Sequence, residues 1–212
     1  MANNVFGNPI TNETLEGMPE YVDKEITRRD RAHVAMLMKN AENKDDSARN
    51  HVQSLKNDFG DGISTLYVIY NATGDNLKFI TTHDYHGHIY ADPYPTIIQN
   101  GQWAAFLHVK PSVITAGSSA GVVYRGGQNQ SGKEHDWMLA WSIPYIVDNH
   151  AYTEIREVNH YKESNDCWGT VSDKMGNTGL THEDNWYQCV SYTSIGNNTS
   201  PVYEGIMTLE GA

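Results

Sequence analysis

The spacing of hydrophobic positions changes once along this chain, near residue 60. Between Pro19 and about Phe59, Val22 and Ile26, then His33, Val34, Leu37, Met38 and Ala41, recur at intervals of three and four with charges between them. That is the period of helices burying one face. "AENKDDSARN" interrupts the pattern, and Ser47 is placed to cap a second short helix carrying Ala48, Val52 and Leu55. Both helices are amphipathic but heavily charged, which suits a helical layer on a sheet better than insertion into a membrane. Residues 1 to 18 read as an extended arm.

From residue 63 the period shortens. "ISTLYVIYNATGDNLKFI" is two β-rich runs around an Asn/Gly/Asp turn and reads as a hairpin. "TIIQNGQWAAFLHVK" sets an Asn-Gly turn between apolar stretches, and "AGVVYRGGQNQSGKEHDWMLAWSIPY" is two strands joined by a polar, Gly-rich turn. "AYTEIREV" alternates, and "WYQCVSYTSI" with "VYEGIMTLE" forms a last hairpin. Many short strands at even spacing predict a β-sandwich or barrel, with the helical segment against one face. No internal repeat or low-complexity stretch interrupts this order, and 212 residues suit one domain.

Composition narrows the function classes. The formal net charge of −11 opposes nucleic-acid phosphates and anionic lipid, so a membrane target has to be neutral or zwitterionic and held in a shaped pocket. Tyrosine is frequent, at 13, with 5 tryptophans; both suit strands and wet binding surfaces. The first residues show neither a basic nor an apolar signal region, and no apolar run is long enough to span a bilayer. The expectation is a cytoplasmic protein, or one released without a signal peptide and peripheral on its target membrane. Cys167 and Cys189 are too few for a disulfide framework and are expected to be reduced. The sequons at Asn12, Asn71, Asn129 and Asn197 are then expected to be unused.

The motifs that carry chemistry are mostly incomplete. "HDYHGH" places His83, His86 and His88 close together, as a zinc or copper site requires. On a regular strand, however, His86 and His88 share a face and His83 takes the other, while Gly87 marks a bend or a close backbone approach. A polar strand end at the sandwich rim is the better reading, with no metal or other cofactor. "AGSSAG" lacks the Gly-Lys-Ser/Thr ending of a phosphate loop, and His135-Asp136 has no serine elbow to serve. No motif calls for an enzyme. "LAWSIPY" is different: Pro144 stops the strand ladder, so Ser142, Pro144 and Tyr145 fall at a strand end with hydroxyl and ring faces outward.

The stretch "VITAGSSAGVVYRGGQNQSGKEHDWMLAWSIPY" resembles the central part of the actinoporin-like β-sandwiches, whose strand closes on Ser-x-Pro-aromatic. Residues of roughly 63 to 210 are similar to that family, and the "VFGNPIT" start resembles the small jasmonate-induced plant proteins and the nakanori-like branch that binds sphingomyelin–cholesterol membranes. The resemblance implies a mainly β, actinoporin-like sandwich: an arm and helices in residues 1–60, and the sandwich in 61–212 with a short helical segment near 161–175. It also implies a phosphocholine site at one end. Ser142 and Pro144 match the family's Ser-x-Pro, His86 takes a small polar position before a glycine, and Ser119 falls near a small apolar position. Tyr145 and Tyr152 are the aromatic residues after that motif, and Tyr161 and Trp168 are the candidates to replace the family's cage tyrosines.

Two departures matter. "DKEITRRDRAH" stands where pore-forming members carry an apolar helix, and "IVDNHAY" stands where they carry a loop dense in Trp and Tyr. The resemblance therefore implies non-lytic binding of the choline headgroup of sphingomyelin in cholesterol-containing membranes. The alternatives are a lectin, for which glycan would be the partner, and a stress-response protein of other activity.

Overall fold

The computed structural model describes residues 4–111, 117–127, 133–161 and 165–212, with side chains excluded at 165 and 166. The first half runs β1 (Val5–Phe6), α1 (Asn12–Glu16), α2 (Arg28–Leu37), α3 (Lys44–Phe59), β2 (Ser64–Asn71), β3 (Leu77–His86), β4 (His88–Tyr90), β5 (Ile97–Ile98) and β6 (Trp103–Val109). The second half runs β7 (Ser118–Gly126), β8 (His135–Ile143), β9 (His150–Glu157), α4 (Asn165–Met175), β10 (Thr181–Trp186), β11 (Cys189–Ile195) and β12 (Val202–Leu209). The strands form two sheets. The first has the order β1-β6-β2-β12-β11-β10, with β4 also paired to β6, and the second has the order β5-β3-β7-β8-β9. The protein is thus a β-sandwich with helices on the outside of both sheets.

Alternation along β2 and β6 explains the layering. Tyr67, Ile69, Ala104 and Phe106 point between the sheets, where Tyr67 stacks on Phe106 at 4.3 Å and on Tyr203 at 4.2 Å. Leu66, Val68, Tyr70, Trp103, Ala105 and Leu107 point outward and are buried by α2 and α3, through Val34, Ala35, Ala48, Val52 and Leu55. Strands buried on both faces read as continuous apolar runs, and "LYVIY" is one.

The helical register differs from the sequence expectation at its ends. Val22 is exposed and lies outside any α-helix; α2 begins only at Arg28, capped by Thr27, whose N–H donates to Asp30 Oδ2 at 2.8 Å. α3 starts at Lys44, ahead of Ser47, because Lys44 is buried and its Nζ donates to the Gly101 carbonyl at 2.8 Å. That long-range bond fixes the first turn, and Ser47 instead donates to the Asn43 carbonyl at 2.9 Å. Of the arm, Val5–Phe6 adds a strand to β6, and Asn12–Glu16 is helical.

Two hairpin expectations resolve differently. β7 and β8 pair antiparallel, as do β11 and β12; the β7–β8 turn, residues 128–132, lies outside the described residues. β2 and β3, by contrast, are not partners: the Asn/Gly/Asp turn carries the chain from one sheet to the other. A turn signal gives reversal of direction, and which sheet receives the next strand depends on core burial.

Candidate functional site

The strand ladder of the second sheet aligns four polar residues. His86 lies opposite Ser119, Ser119 opposite Ser142, and Ser142 opposite His150, one residue from each of β3, β7, β8 and β9. With strands about 4.8 Å apart, the row spans about 14 Å. His86 joins it only because of a β-bulge between Asp84 and His86. Strict alternation from His83 would turn His86 toward the core, and the extra residue returns it to the outer face. At Gly87, with φ +104°, the chain then crosses to the first sheet, where a Cβ would strike the Val109 carbonyl. So the expected facing is corrected: His83 and His86 share the outer face of one sheet, and His88 belongs to the other.

The row forms the floor of an open cleft of about 520 Å³. Pro144 and Val147 border it on one side, and Ser172, Met175 and Gly176 at the end of α4 on the other. The sequence-selected residues His86, Ser119, Ser142 and Pro144 therefore come together. Tyr145 stands beside them, 65% exposed, followed by Ile146 at 89% and Val147 at 66%. This apolar loop is continuous with the cleft rim, and sequence reasoning passed over Ile146 and Val147 because it sought aromatic rings.

Tyr152, Tyr161 and Trp168 do not line the cleft. All three are buried between α4, which carries Trp168, and the second sheet, with Val123, Met138 and Ala140. Both tyrosine hydroxyls donate to Glu154, Tyr152 to Oε2 at 2.7 Å and Tyr161 to Oε1 at 2.8 Å. Arg156 and Lys174 donate to the same carboxylate at 2.6 and 3.1 Å. Burial pushes the Glu154 carboxyl upward in pKa, but these hydrogen bonds and the Arg156 charge outweigh it and hold the group below its usual range. Trp168 stacks on His83 at 5.0 Å with planes 13° apart, and its carbonyl accepts the Tyr85 hydroxyl at 2.5 Å. These contacts join α4, one border of the cleft, to β3 and β9. A tyrosine looks the same in sequence whether its ring meets ligand or core; the carboxylate at Glu154 is the signal that would have separated the two.

Below the cleft, Ser118 Oγ lies 2.8 Å from His108 Nδ1, and His108 Nε2 lies 3.4 Å from Asp84. The order is that of a hydrolytic triad, but Ser118 is fully buried, shares its oxygen with Thr65 at 2.8 Å and accepts the Trp141 indole N–H at 3.2 Å. No substrate reaches that hydroxyl, and the group joins the two sheets. At 3.4 Å the Asp84 contact is a long ion-pair separation, and burial is the larger influence on His108, pushing its pKa down.

Among the described residues, no three His, Cys, Asp or Glu side chains converge as a metal site would require. Cys167, on α4, packs toward the outer face of the second sheet while Cys189 lies in the inter-sheet core, and no disulfide joins them. Asn71 is fully buried, with Nδ2 donating to the Asp75 and Ile98 carbonyls, which closes that sequon; Asn129 lies outside the described residues. No helix among the described residues is long and apolar enough to cross a membrane.

Comparison with known proteins agrees with this architecture. A family model described as Nakanori-like protein matches residues 6–210. The 23 kDa jasmonate-induced protein of Hordeum vulgare is 45% identical over 207 residues, covering 97% of this chain and 98% of that protein. A jasmonate-induced protein homolog of Atriplex canescens is 27% identical over 116 residues, covering 53% of this chain and 60% of that protein. The crystal structure of the lipid-binding protein Nakanori superposes with a TM-score of 0.87 at 29% identity, covering 96% of this chain and 99% of the other. By fold, by length and by sequence, this chain belongs to the nakanori-like family.

Proposed function

We propose that this protein is a peripheral, non-lytic lipid-binding protein that recognises the phosphocholine headgroup of sphingomyelin in cholesterol-containing membranes. One observation carries the reading: the His86–Ser119–Ser142 row opens directly beside the exposed Tyr145–Ile146–Val147 loop, so a headgroup cleft and an apolar anchor occupy the same rim. Resemblance to a protein described as lipid-binding supports it. Serine and imidazole groups offer hydrogen bonds to a phosphate, and the Tyr145 ring offers a face to the quaternary ammonium, an exposed cation–π contact contributing about 0.5–1 kcal/mol. The loop's apolar side chains exclude water from the interfacial region of the bilayer. A zwitterionic target also avoids the repulsion that a net charge of −11 would meet at an anionic surface.

Absence of lysis follows from the N-terminal half. The apolar sides of α2 and α3 are committed to the first sheet, and releasing them would expose Leu66, Val68, Leu107 and Val109. The role requires no catalysis.

The test is flotation with vesicles of sphingomyelin and cholesterol against vesicles of glucosylceramide and cholesterol, together with release of an entrapped dye. Binding to the first only, without release, is expected. Binding to neither, or binding abolished by free sugars, would reject the reading and in the second case favour a lectin.

A further inference from the structure

His150 closes the polar row at its far end, and its orientation is fixed. Its Nδ1 lies 2.8 Å from the Thr178 carbonyl. A carbonyl oxygen only accepts, so Nδ1 carries the proton in this bond, and Nε2 is the nitrogen left for the cleft. His150 borders the same cavity as Ser142, its partner on the adjacent strand, and as Ser172 on α4. A neutral imidazole in this tautomer presents a lone pair at Nε2, which cannot donate to a phosphate oxygen. The imidazolium presents an N–H and a positive charge there.

On this basis, and resting on the headgroup reading above, we infer that His150 is a phosphate-contacting residue of the cleft, and that its contact forms only when Nε2 is protonated, so that phosphate-headgroup binding strengthens as the medium is acidified. The substrate class follows from the chemistry: phosphodiester or phosphomonoester headgroups gain from the proton, and phosphate-free glycolipids do not.

Of the other charged or titratable groups on the elements around His150, His83 and Asp84 also line the cleft; the face of the His83 ring is stacked on Trp168, and the Asp84 carboxylate lies 3.4 Å from His108 Nε2. Asp148, in the loop before β9, accepts from Asn197 at 2.9 Å. Lys174 on α4 is bound to Glu154, and Asp173 beside it is exposed. His182 on β10 packs on Tyr152 and accepts the Thr153 N–H at 3.4 Å. His86, at the opposite end of the row, is an exposed imidazole of the cleft with no hydrogen bond to a described residue, and it serves as the internal comparison.

The experiment measures flotation affinity for sphingomyelin–cholesterol vesicles at about pH 7.5 and about pH 5.5 for the wild type, His150→Gln and His86→Gln. The vesicles are neutral overall, so the change in global protein charge has little leverage on them. The wild type is expected to bind several-fold tighter at the acidic pH, and His150→Gln is expected to lose most of that gain. A gain that persists in His150→Gln, or one that vanishes only in His86→Gln, overturns the inference while leaving the headgroup reading intact. No binding at either pH rejects the headgroup reading itself. A measurement on the unmodified protein guards against a folding defect: in nitrogen-resolved NMR at the acidic pH, inorganic phosphate should shift Nε2 of His150 while Nδ1 remains protonated. An unmoved Nε2 counts against the assignment.

Discussion

Ser119 and Ser142 face each other across β7 and β8, yet only one hydroxyl is available for donation. Ser119 Oγ donates to the Trp141 carbonyl at 3.1 Å, whereas Ser142 Oγ bonds to no other described residue. A hydroxyl has a single proton. Ser119 therefore presents lone pairs to the cleft, and Ser142 presents a donor. Ser142→Ala should weaken sphingomyelin–cholesterol binding roughly tenfold, the loss expected for a hydrogen bond to a charged group. Ser119→Ala should weaken it less. Thermal unfolding of Ser142→Ala should stay within about 0.5 kcal/mol of wild type. Equal binding losses in the two variants would contradict this division of roles.

The loop after Pro144 makes a second, independent contact. Ile146 is 89% exposed and supports nothing in the fold. Ile146→Asp should leave the melting temperature unchanged and reduce vesicle binding by about tenfold or more, since burying such a side chain is worth about 1.5–3 kcal/mol. Binding of a soluble phosphocholine compound should be unaffected. Loss of both activities would show that the loop shapes the cleft rather than anchoring the protein.

Glu154 tests whether α4 is a fastened wall. It gathers Tyr152, Tyr161, Arg156 and Lys174 onto one buried carboxylate. Glu154→Ala leaves the two hydroxyls and Lys174 without that acceptor, while Arg156 keeps Asp184 and the Ile155 carbonyl, and should cost about 3 kcal/mol in chemical denaturation. Because Trp168 sits in the same cluster, its fluorescence should shift toward that of a wetter indole. A neutral effect on both readouts would mean that α4 holds its place by apolar packing alone.

Stability should fall on acidification below neutrality. His108 has a folded pKa below its ordinary value of 6.5, so the unfolded chain takes up the proton first, and stability drops as pH passes below 6.5. Glu154, with a folded pKa below 4.5, adds a further loss as pH falls through 4.5 and toward its folded value. Both contributions have the same sign. Unfolding measured from pH 8 downward should show a first decline near 6.5, and His108→Gln should remove that step while leaving the one below 4.5. A wild type that is flat between 8 and 5 would refute the assignment to His108.

The sequence by itself determined the layers. Runs such as "LYVIY" announce strands buried on both faces, three-and-four spacing announces α2 and α3, and "WSIPY" marks a strand end with its serine outward. These features are local, and local geometry follows from side-chain period and from proline's missing donor. Tertiary structure decided the rest. The bulge after Asp84 turns His86 outward, the crossing at Gly87 sends His88 to the other sheet, and pairing of β8 with β9 brings His150 beside Ser142. Only the fold shows that the Tyr152 and Tyr161 hydroxyls donate to Glu154, or that the Ser119 hydroxyl donates to the Trp141 carbonyl. The physical reason is that a hydrogen-bonding group's availability depends on what the rest of the chain has already placed against it, and that is set by strand register and packing across distant residues.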